Sequence, residues 1–482
     1  MILLSVELML CFWPMFTLHE SFTRRARELV NEMENTCEFC KADSQQFSNS
    51  FVDKDERALR IVPILSIVSI LYLSFFNDLS ALFLLLCTAL LIGIYSFEAF
   101  IVFYISMIPA QGLFVIGGTT IDTFLGVIFL FLFVLDYFKN RVVASIDRTT
   151  VSYILLLLMV MASSLYVSLV EGPDFSVFRS NVLVLTAALM FYLKCRVMRK
   201  DKIRYIMKTA FLTSCAISFS ALHIVGTTVM NWGFPRLLIP NTNPGWLGII
   251  IAMCTFFGVP AFQGKSIWNY LVIVFVLVIN LQVILASQSR TAWVISLILI
   301  LALFMDSKKA LSRKGYFLFA VMIIIVFVAF IVVGWDLIYN RFVVSFERAG
   351  LTGVLSGRDI LAKAGLETFK KFPFFGIGNS VILERQYVGD ITGSYNIAHN
   401  GYVMVLLRFG LVGFLFFSFF ILNVLRNLSK ATQFKFIFLG VFFGYLFAVF
   451  GGANYFGDYY MIIIATIMGF CNDEHKKKRI IR

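Results

Sequence analysis

The stretch "HNGYVMVLLRFGLVGFLFFSFFIL", His399–Leu422, decides the fold class of this 482-residue chain. From Gly401 to Leu422 it holds a single charged residue, Arg408. At a helical rise of about 1.5 Å per residue, this run is long enough to cross the ~30 Å hydrocarbon layer of a bilayer. Backbone polar groups in lipid must be satisfied within their own segment, so we predict a transmembrane helix here.

The composition extends this conclusion to the whole chain. Hydrophobic residues make up 60% of the sequence and charged residues 14%, and the mean hydropathy is +0.87. Soluble globular proteins are nearer to about 45–50% apolar and about 25% charged. We therefore predict a polytopic membrane protein. In such a protein a net charge of +13 reflects orientation in the bilayer, so no nucleic-acid partner is expected.

Apolar runs recur along the chain and set the number of helices. Fourteen candidate spans can be drawn: 61–76, 79–95, 99–116, 121–138, 151–170, 178–193, 205–225, 245–262, 267–286, 291–305, 316–334, 401–422, 436–450 and 459–470. Three of these are short, so a count of twelve or thirteen also fits. We predict an all-α polytopic membrane protein, a bundle of about 12–14 transmembrane helices.

Polar segments divide the chain further. Residues 1–60 form a polar N-terminal tail, 61–334 a bundle of about eleven spans, 335–400 one large loop, 401–470 the C-terminal spans and 471–482 a basic tail. A loop of this length is usually functional when it is ordered. Within it, "SGRDILAKAGLETFKKFPFFGIG" has the apolar spacing of an amphipathic helix, which Pro373 ends.

The distribution of basic residues predicts the orientation. With both termini in the cytoplasm, the short inner loops hold seventeen Lys and Arg residues and the short outer loops hold three. Cytoplasmic loops carry the excess of positive charge in membrane proteins, and loops beyond about 60 residues escape this rule. Moving the register by one span would invert the bias, so the large loop is expected on the outer face.

Because basic residues are scarce on the predicted outer face, four side chains there are candidates for a function. Arg236 lies in a Pro/Asn-rich turn, Arg290 begins one span, Arg358 opens the loop helix and His399 precedes another span. Taken one at a time, each has an ordinary explanation, because interfacial Arg residues often reach lipid phosphates and a His at a helix start is often a surface residue. Arg408 lies inside a span and could line a cavity.

Together these motifs resemble the O-antigen polymerase and ligase superfamily of bacterial envelopes. The resemblance rests on "FPRLLIPNTNPGWLG" with Arg236, on "SQSR" ending at Arg290, on the loop helix followed by "FPFFGIG", and on "HNGYVMVLLRFGLVG", in which nine residues separate His399-Asn400 from a Gly-x-x-Gly. It covers residues 236–413 in motifs and the bundle in topology. It implies a GT-C-like bundle whose one large periplasmic loop contains the amphipathic helix.

The resemblance also implies a reaction. Members of the superfamily act on glycans linked to undecaprenyl diphosphate at the periplasmic leaflet of the bacterial inner membrane. A sugar hydroxyl of the acceptor attacks the anomeric carbon of the donor, and the lipid diphosphate leaves. The sequence shows no outer pair of carboxylates suited to a metal, so we predict no metal and no cofactor. Arginine, which grips phosphate oxygens through two parallel hydrogen bonds, is expected to stabilise the leaving group.

Arg290 is the first candidate for this stabilisation, with Arg358 and Arg236 beside it. His399 is the candidate general base, because a neutral imidazole with an ordinary pKa near ~6.5 accepts a hydroxyl proton. Glu384 and Asp390 of the large loop are alternative bases.

Two asparagines are assigned to diphosphate or glycan binding. Asn400 follows His399 directly and is expected to orient its ring or a sugar. Asn243 lies in a turn that departs from the tighter Asp/Asn-Pro-Asn of the superfamily, because the sequence reads Asn241-Thr-Asn243-Pro244.

Polymerase and ligase share this architecture. We favour a polymerase of O-antigen or a related surface polysaccharide, which transfers the growing glycan onto a new lipid-linked repeat unit. A ligase would transfer the polymer to lipid A-core or to a protein.

A flippase or exporter for the same lipid-linked sugar is the alternative from a different functional class, although internal repeats of the kind that transporters show are not evident. A chain-length regulator and a flippase are expected as protein partners.

Overall fold

The computed structural model of the chain describes residues 38–76, 79–110, 114–116, 119–140, 147–170, 200–224, 227–231, 234–237, 244–262, 266–339, 341, 343, 346–347, 357–393, 395–431, 433–452 and 458–480. The chain divides into two compact units, Met1–Ala58 and Leu59–Arg482. All candidate site residues belong to the second unit.

Fifteen α-helices account for most of the described residues. In chain order they are α1 (Glu38–Phe76), α2 (Leu79–Tyr95), α3 (Phe97–Met107), α4 (Ile121–Asn140), α5 (Arg148–Val170), α6 (Lys200–Ile224), α7 (Pro244–Gly258), α8 (Ile267–Ala286), α9 (Arg290–Ala310), α10 (Arg313–Tyr339), α11 (Arg358–Lys371), α12 (Val381–Thr392), α13 (Gly401–Leu428), α14 (Lys435–Phe450) and α15 (Asp458–Ile480). Two short antiparallel hairpins join them, β1 (Val115–Ile116) with β2 (Thr119–Thr120) and β3 (Thr227–Asn231) with β4 (Phe234–Leu237).

The predicted all-α membrane class is confirmed. Among the described residues, eight helices are long and apolar enough to cross a membrane, and five shorter helices are also apolar. The predicted span 178–193 lies outside the described residues. The predicted span 99–116 is too long, because α3 ends at Met107 and a 3-10 turn, Ile108–Ala110, follows it. Pro109 has no N–H to continue the helical hydrogen bonds.

Small residues let α9 and α14 pack closely, and this contact positions the site. A Cβ on Gly440 would lie 2.7 Å from Ala302, and one on Gly444 would lie 3.1 Å from Ile295. Glycine at such positions allows two helix backbones to approach each other within a membrane. As a result, α14 ends beside the beginning of α9.

The helix α13 is broken at Gly410, where the backbone adopts φ 64° and ψ −165°. This region of backbone space is essentially restricted to glycine. The residues around the break form hydrogen bonds with the "FPFFGIG" segment of the large loop. The amides of Leu411 and Val412 donate to the carbonyls of Pro373 and Phe374, at 2.8 and 3.2 Å.

Two further bonds run in the opposite direction across the same break. The amides of Ile377 and Gly378 donate to the carbonyls of Leu407 and Arg408, at 2.9 and 3.0 Å. The loop segment is therefore hydrogen-bonded to the middle of α13. These bonds satisfy the backbone groups that the break leaves without helical partners. Gly413 allows α13 to pack closely against α5, because a Cβ there would lie 2.7 Å from Met159 Cε.

We expect Gly410→Ala to destabilise the protein strongly. The new Cβ would overlap the Phe374 carbonyl in a backbone conformation that alone costs about 1–3 kcal/mol for other residues. Gly393→Ala is the matched control, because Gly393 also has a positive φ, 69°, but a Cβ there has nothing within 4 Å. Thermal unfolding of the detergent-solubilised variants measures the difference. Equal losses of stability in the two variants would contradict this role of the break.

Candidate active site

The candidate site is organised around the turn Gly451–Gly452, which follows α14. A Cβ on Gly451 would lie 2.7 Å from Thr291 Oγ1, so the turn touches the beginning of α9 next to Arg290. The carbonyl of Gly451 accepts a hydrogen bond of 2.6 Å from Arg358 Nη1. A Cβ on Gly452 would lie 2.6 Å from the carbonyl oxygen of His399. The turn thus brings together Arg358, His399 and the beginning of α9 with Arg290, which lie far apart in the sequence.

The backbone of His399 is held in an uncommon conformation. Its φ is +50°, a value that few residues other than glycine adopt. Gly452, which packs against this backbone, has φ +84° and leaves room for the close approach. The preceding residue, Ala398, is fully buried, and a Cβ on Gly365 of α11 would lie 3.0 Å from its Cβ. The surrounding elements therefore fix the direction of the His399 side chain.

The imidazole of His399 is oriented by Asn396. Its Nε2 lies 3.0 Å from Asn396 Oδ1, which also accepts the amide of Ile397 at 3.0 Å. An amide oxygen only accepts hydrogen bonds, so Nε2 carries the proton and donates it. In the neutral ring Nδ1 is then the atom with the free electron pair, and it can accept a proton from a substrate.

The surroundings of His399 favour its neutral form. Burial lowers the pKa of the imidazole below its ordinary value, and the positive charge of Arg358 lowers it further. Glu384 opposes this shift, while Arg385 adds to it. Both main causes penalise the imidazolium, so the ring is a competent proton acceptor at neutral pH.

Arg290 and Arg358 each begin a helix at this end of the bundle. Both side chains are half-buried, and their positive charges interact with each other. Arg290 is the first residue of α9, whose N-terminus is capped by Ser289 Oγ, which accepts the Ala292 amide at 3.3 Å. The positive end of the helix dipole and two guanidinium groups give this region a potential that suits a phosphate group.

Two cationic residues near this cluster were missed by the sequence analysis. Arg341 Nη2 donates to the carbonyl of Gln288 at 3.0 Å, in the turn that leads into Arg290. Arg385 lies over the ring of Tyr395, 5.7 Å from its centroid. The sequence analysis assigned no role to either residue. No local motif marks either residue, and only tertiary contacts place them here.

Glu384 and Arg408 form a buried ion pair, which changes the roles considered for both. Arg408 donates to Glu384 Oε2 through Nε at 2.7 Å and through Nη2 at 2.5 Å. Glu384 is 0% exposed and Arg408 is 7% exposed. A carboxylate held in this way cannot reach an acceptor sugar, so Glu384 as an alternative base was wrong. Arg408 contacts the large loop rather than lining an open cavity.

The remaining predicted residues have less direct relations to the cluster. Asn400 caps α13, because its Oδ1 accepts the amides of Tyr402 and Val403 at 3.1 and 3.3 Å. The ring of His399 is thus oriented by Asn396 and not by Asn400. Arg236 lies on β4, a strand that contacts α8. Asn243 lies outside the described residues. Substrate binding by Arg236, Asn243 and Asn400 stays a prediction.

Metal ligands do not gather near this cluster. Within the part of the chain that the structure describes, no group of three or more His, Cys, Asp and Glu side chains is placed to hold a metal ion. The side chains that the structure gathers at the turn offer a proton acceptor, His399, and anion-binding groups, Arg290 and Arg358.

One of the comparisons with known proteins found a match. Residues 275–418 match the family model described as O-antigen ligase. The matched range includes Arg290, Arg358, His399 and Gly410, and it covers less than a third of the chain. No curated protein matches the sequence. The predicted resemblance to the O-antigen polymerase and ligase superfamily is confirmed by the family match.

Proposed function

We propose that this chain, which matches the O-antigen ligase family model over residues 275–418, is an O-antigen or related surface-polysaccharide polymerase. It transfers the growing glycan from undecaprenyl diphosphate onto a new lipid-linked repeat unit, without a metal ion. The active site faces the periplasm in the inner membrane, and both termini are cytoplasmic. This orientation is supported by the seventeen basic residues of the short inner loops against three outside.

One observation carries the proposal, the convergence of His399, Arg290 and Arg358 on the Gly451–Gly452 turn. A base with a depressed pKa beside two guanidinium groups matches a reaction that removes a proton from a hydroxyl and expels a diphosphate.

The reaction assigns one task to each group. Nδ1 of His399 accepts the proton of the acceptor hydroxyl while that oxygen forms a bond to the anomeric carbon of the donor. The bond between this carbon and the diphosphate oxygen breaks, and its electron pair leaves with the undecaprenyl diphosphate. Arg290 and Arg358 bind the diphosphate oxygens as negative charge develops on them. Fixed donors of this kind contribute about 3–4 kcal/mol each in enzymes that stabilise an oxyanion.

A ligase is the second candidate, because the matched family model is described as O-antigen ligase. A ligase would use the same donor and transfer the polymer to lipid A-core or to a protein. Lipopolysaccharide from a deletion strain separates the two candidates. Core carrying one repeat unit indicates a lost polymerase, whereas bare core with polymer retained on the carrier indicates a lost ligase. A normal ladder would contradict both candidates.

The protein partners belong to the same proposal. A polymerase needs repeat units that a flippase has delivered to the periplasmic leaflet, and a chain-length regulator to stop the reaction. The substrate that these partners share with the enzyme is the undecaprenyl-diphosphate-linked oligosaccharide.

We expect activity to persist at a pH below the ordinary pKa of histidine. Because burial and Arg358 lower the pKa of His399, the neutral base is retained as the pH falls, and activity is lost only when the pH passes below this depressed pKa. The measurement is kcat/KM of the purified enzyme as a function of pH, because this ratio reports the pKa of the base in the free enzyme. An acid limb centred above pH 6.5, the ordinary value, would contradict this environment for the base.

A further inference from the structure

The buried carboxylate of Glu384 connects three separate parts of the site. Its Oε1 accepts the backbone amide of Ala398 at 2.9 Å. Its Oε2 accepts both hydrogen bonds from Arg408, as described above. Arg408 also reaches Asn379 Oδ1, at 3.4 Å. The carboxylate therefore ties α12 to α13 and to the residue that directly precedes His399.

The bond to Ala398 acts where the backbone is strained. The next residue, His399, has φ +50°, and such a conformation persists only where its surroundings hold it in place. On one side the Gly452 turn packs against the His399 carbonyl, and on the other side Glu384 holds the Ala398 amide. The conformation of His399 is therefore held from both sides, by Gly452 and by Glu384.

We infer that Glu384 and Arg408 are positioning residues, which hold His399 in the geometry in which it accepts the proton of the acceptor sugar. This inference rests on the proposed function. Neither residue touches the substrate. Their ion pair links the loop helix α12, the kinked helix α13 and the catalytic segment into one unit, so the position of His399 depends on both helices.

Glu384, one member of the ion pair, also contributes to the electrostatic potential at His399. The charged groups that act on the imidazole are Arg358 from α11 and Glu384 and Arg385 from α12, and Arg408 from α13 lies directly behind Glu384. Among these, Glu384 is the one that favours the protonated ring. Removing its charge while keeping its shape therefore changes both the position and the titration of the base.

The test is Glu384→Gln in the purified full-length enzyme, assayed for glycan transfer over a range of pH. The glutamine oxygen can still accept the Ala398 amide, but the negative charge is lost. We expect kcat to fall at least tenfold, KM to change less than threefold, and the acid limb to move to lower pH. The matched control is Glu367→Gln, which removes the carboxylate of an exposed pair with Lys370 on α11 and leaves the activity unchanged.

The direction of the pH shift separates positioning from a merely structural role. If Glu384 only stabilised the fold, the variant would lose folded protein, and its remaining activity would keep the wild-type pH profile. Glu384→Gln alone leaves the charge of Arg408 buried without its carboxylate partner. The double variant Glu384→Gln with Arg408→Gln removes both charges, so it supplies folded protein if the single variant does not accumulate. The inference predicts that it too has a low kcat and an altered acid limb.

Wild-type kcat and an unchanged acid limb in the folded Glu384 variants would overturn the inference. That result is distinguishable from failure of the proposed function. If His399→Ala is inactive while Glu384→Gln is normal, only the positioning role is lost. If His399→Ala is fully active, His399 is not the base and both accounts fail.

Discussion

Glycan transfer falls by about 10²–10⁴-fold when His399 is replaced by alanine, because this is the usual contribution of a positioned general base. The imidazole is directed by Asn396, held by a constrained backbone and kept neutral by burial, so its removal deletes a base that is already positioned and unprotonated. The measurement is the initial rate of transfer by the purified variant at matched protein concentration.

His223→Ala is the control for the loss of a histidine. His223 lies on α6 and contacts the rings of Phe75 and Phe219, at 5.3 and 6.1 Å between centroids. We expect this variant to retain wild-type activity. A His399→Ala variant that folds normally and transfers glycan at more than a tenth of the wild-type rate would refute the assignment of the base.

The second large effect is expected at Arg290. We predict a loss of about 10²–10³-fold in kcat for Arg290→Ala, the range found when a single oxyanion donor is removed. Arg290→Lys should recover only part of this loss, because an ammonium keeps the charge but lacks the planar fork of two parallel donors. The effect should fall mainly on kcat, since charge develops on the diphosphate in the transition state.

Arg313→Ala is the matched control for this change. Arg313 is the first residue of α10 just as Arg290 is the first residue of α9, but the order of the helices places it at the opposite end of the bundle. It should affect transfer little. Similar losses at both positions would mean that Arg290 acts by anchoring a helix in the membrane and not on the substrate.

The sequence predicted the helices well because the bilayer imposes a simple rule. The apolar run from Gly401, for example, extends to Leu428 as helix α13, and the run from Ile267 to Ala286 coincides with α8. The predicted span 99–116 was wrong in its end, because Pro109 stops the helix although the following residues are apolar. Hydropathy reports the environment of a segment and contains no information on the packing of helices against each other.

The candidate site was predicted only in part for the same reason. Topology alone placed His399, Arg290 and Arg358 at one end of the bundle, and the structure then joined them through Gly451 and Gly452, two residues with no predicted role. The partner of the base, Asn396, and the buried pair of Glu384 and Arg408 depend on how the large loop folds back onto α13. Contacts between distant segments of this kind leave no periodic pattern in a sequence.

The large loop also contains more structure than the sequence predicted. The amphipathic helix is present as α11, in which Ala364 is buried and Ile360 is exposed. The second helix, α12, was not predicted, although it supplies Glu384. The short α12 has a mixed polar and apolar sequence, and its buried face is defined only by packing against α11 and α13.

The most direct test of the central claim is chain growth in a defined system. Purified protein in liposomes is supplied with undecaprenyl-diphosphate-linked repeat units from the same bacterium, in the presence of EDTA, and both polymer length and free undecaprenyl diphosphate are measured. The account predicts that the polymer grows, that one diphosphate carrier is released for each unit added, and that His399→Ala lowers the rate of both by about 10²–10⁴-fold. Folded wild-type protein that moves the lipid-linked units across the bilayer without releasing the carrier would contradict it, and would indicate a transporter.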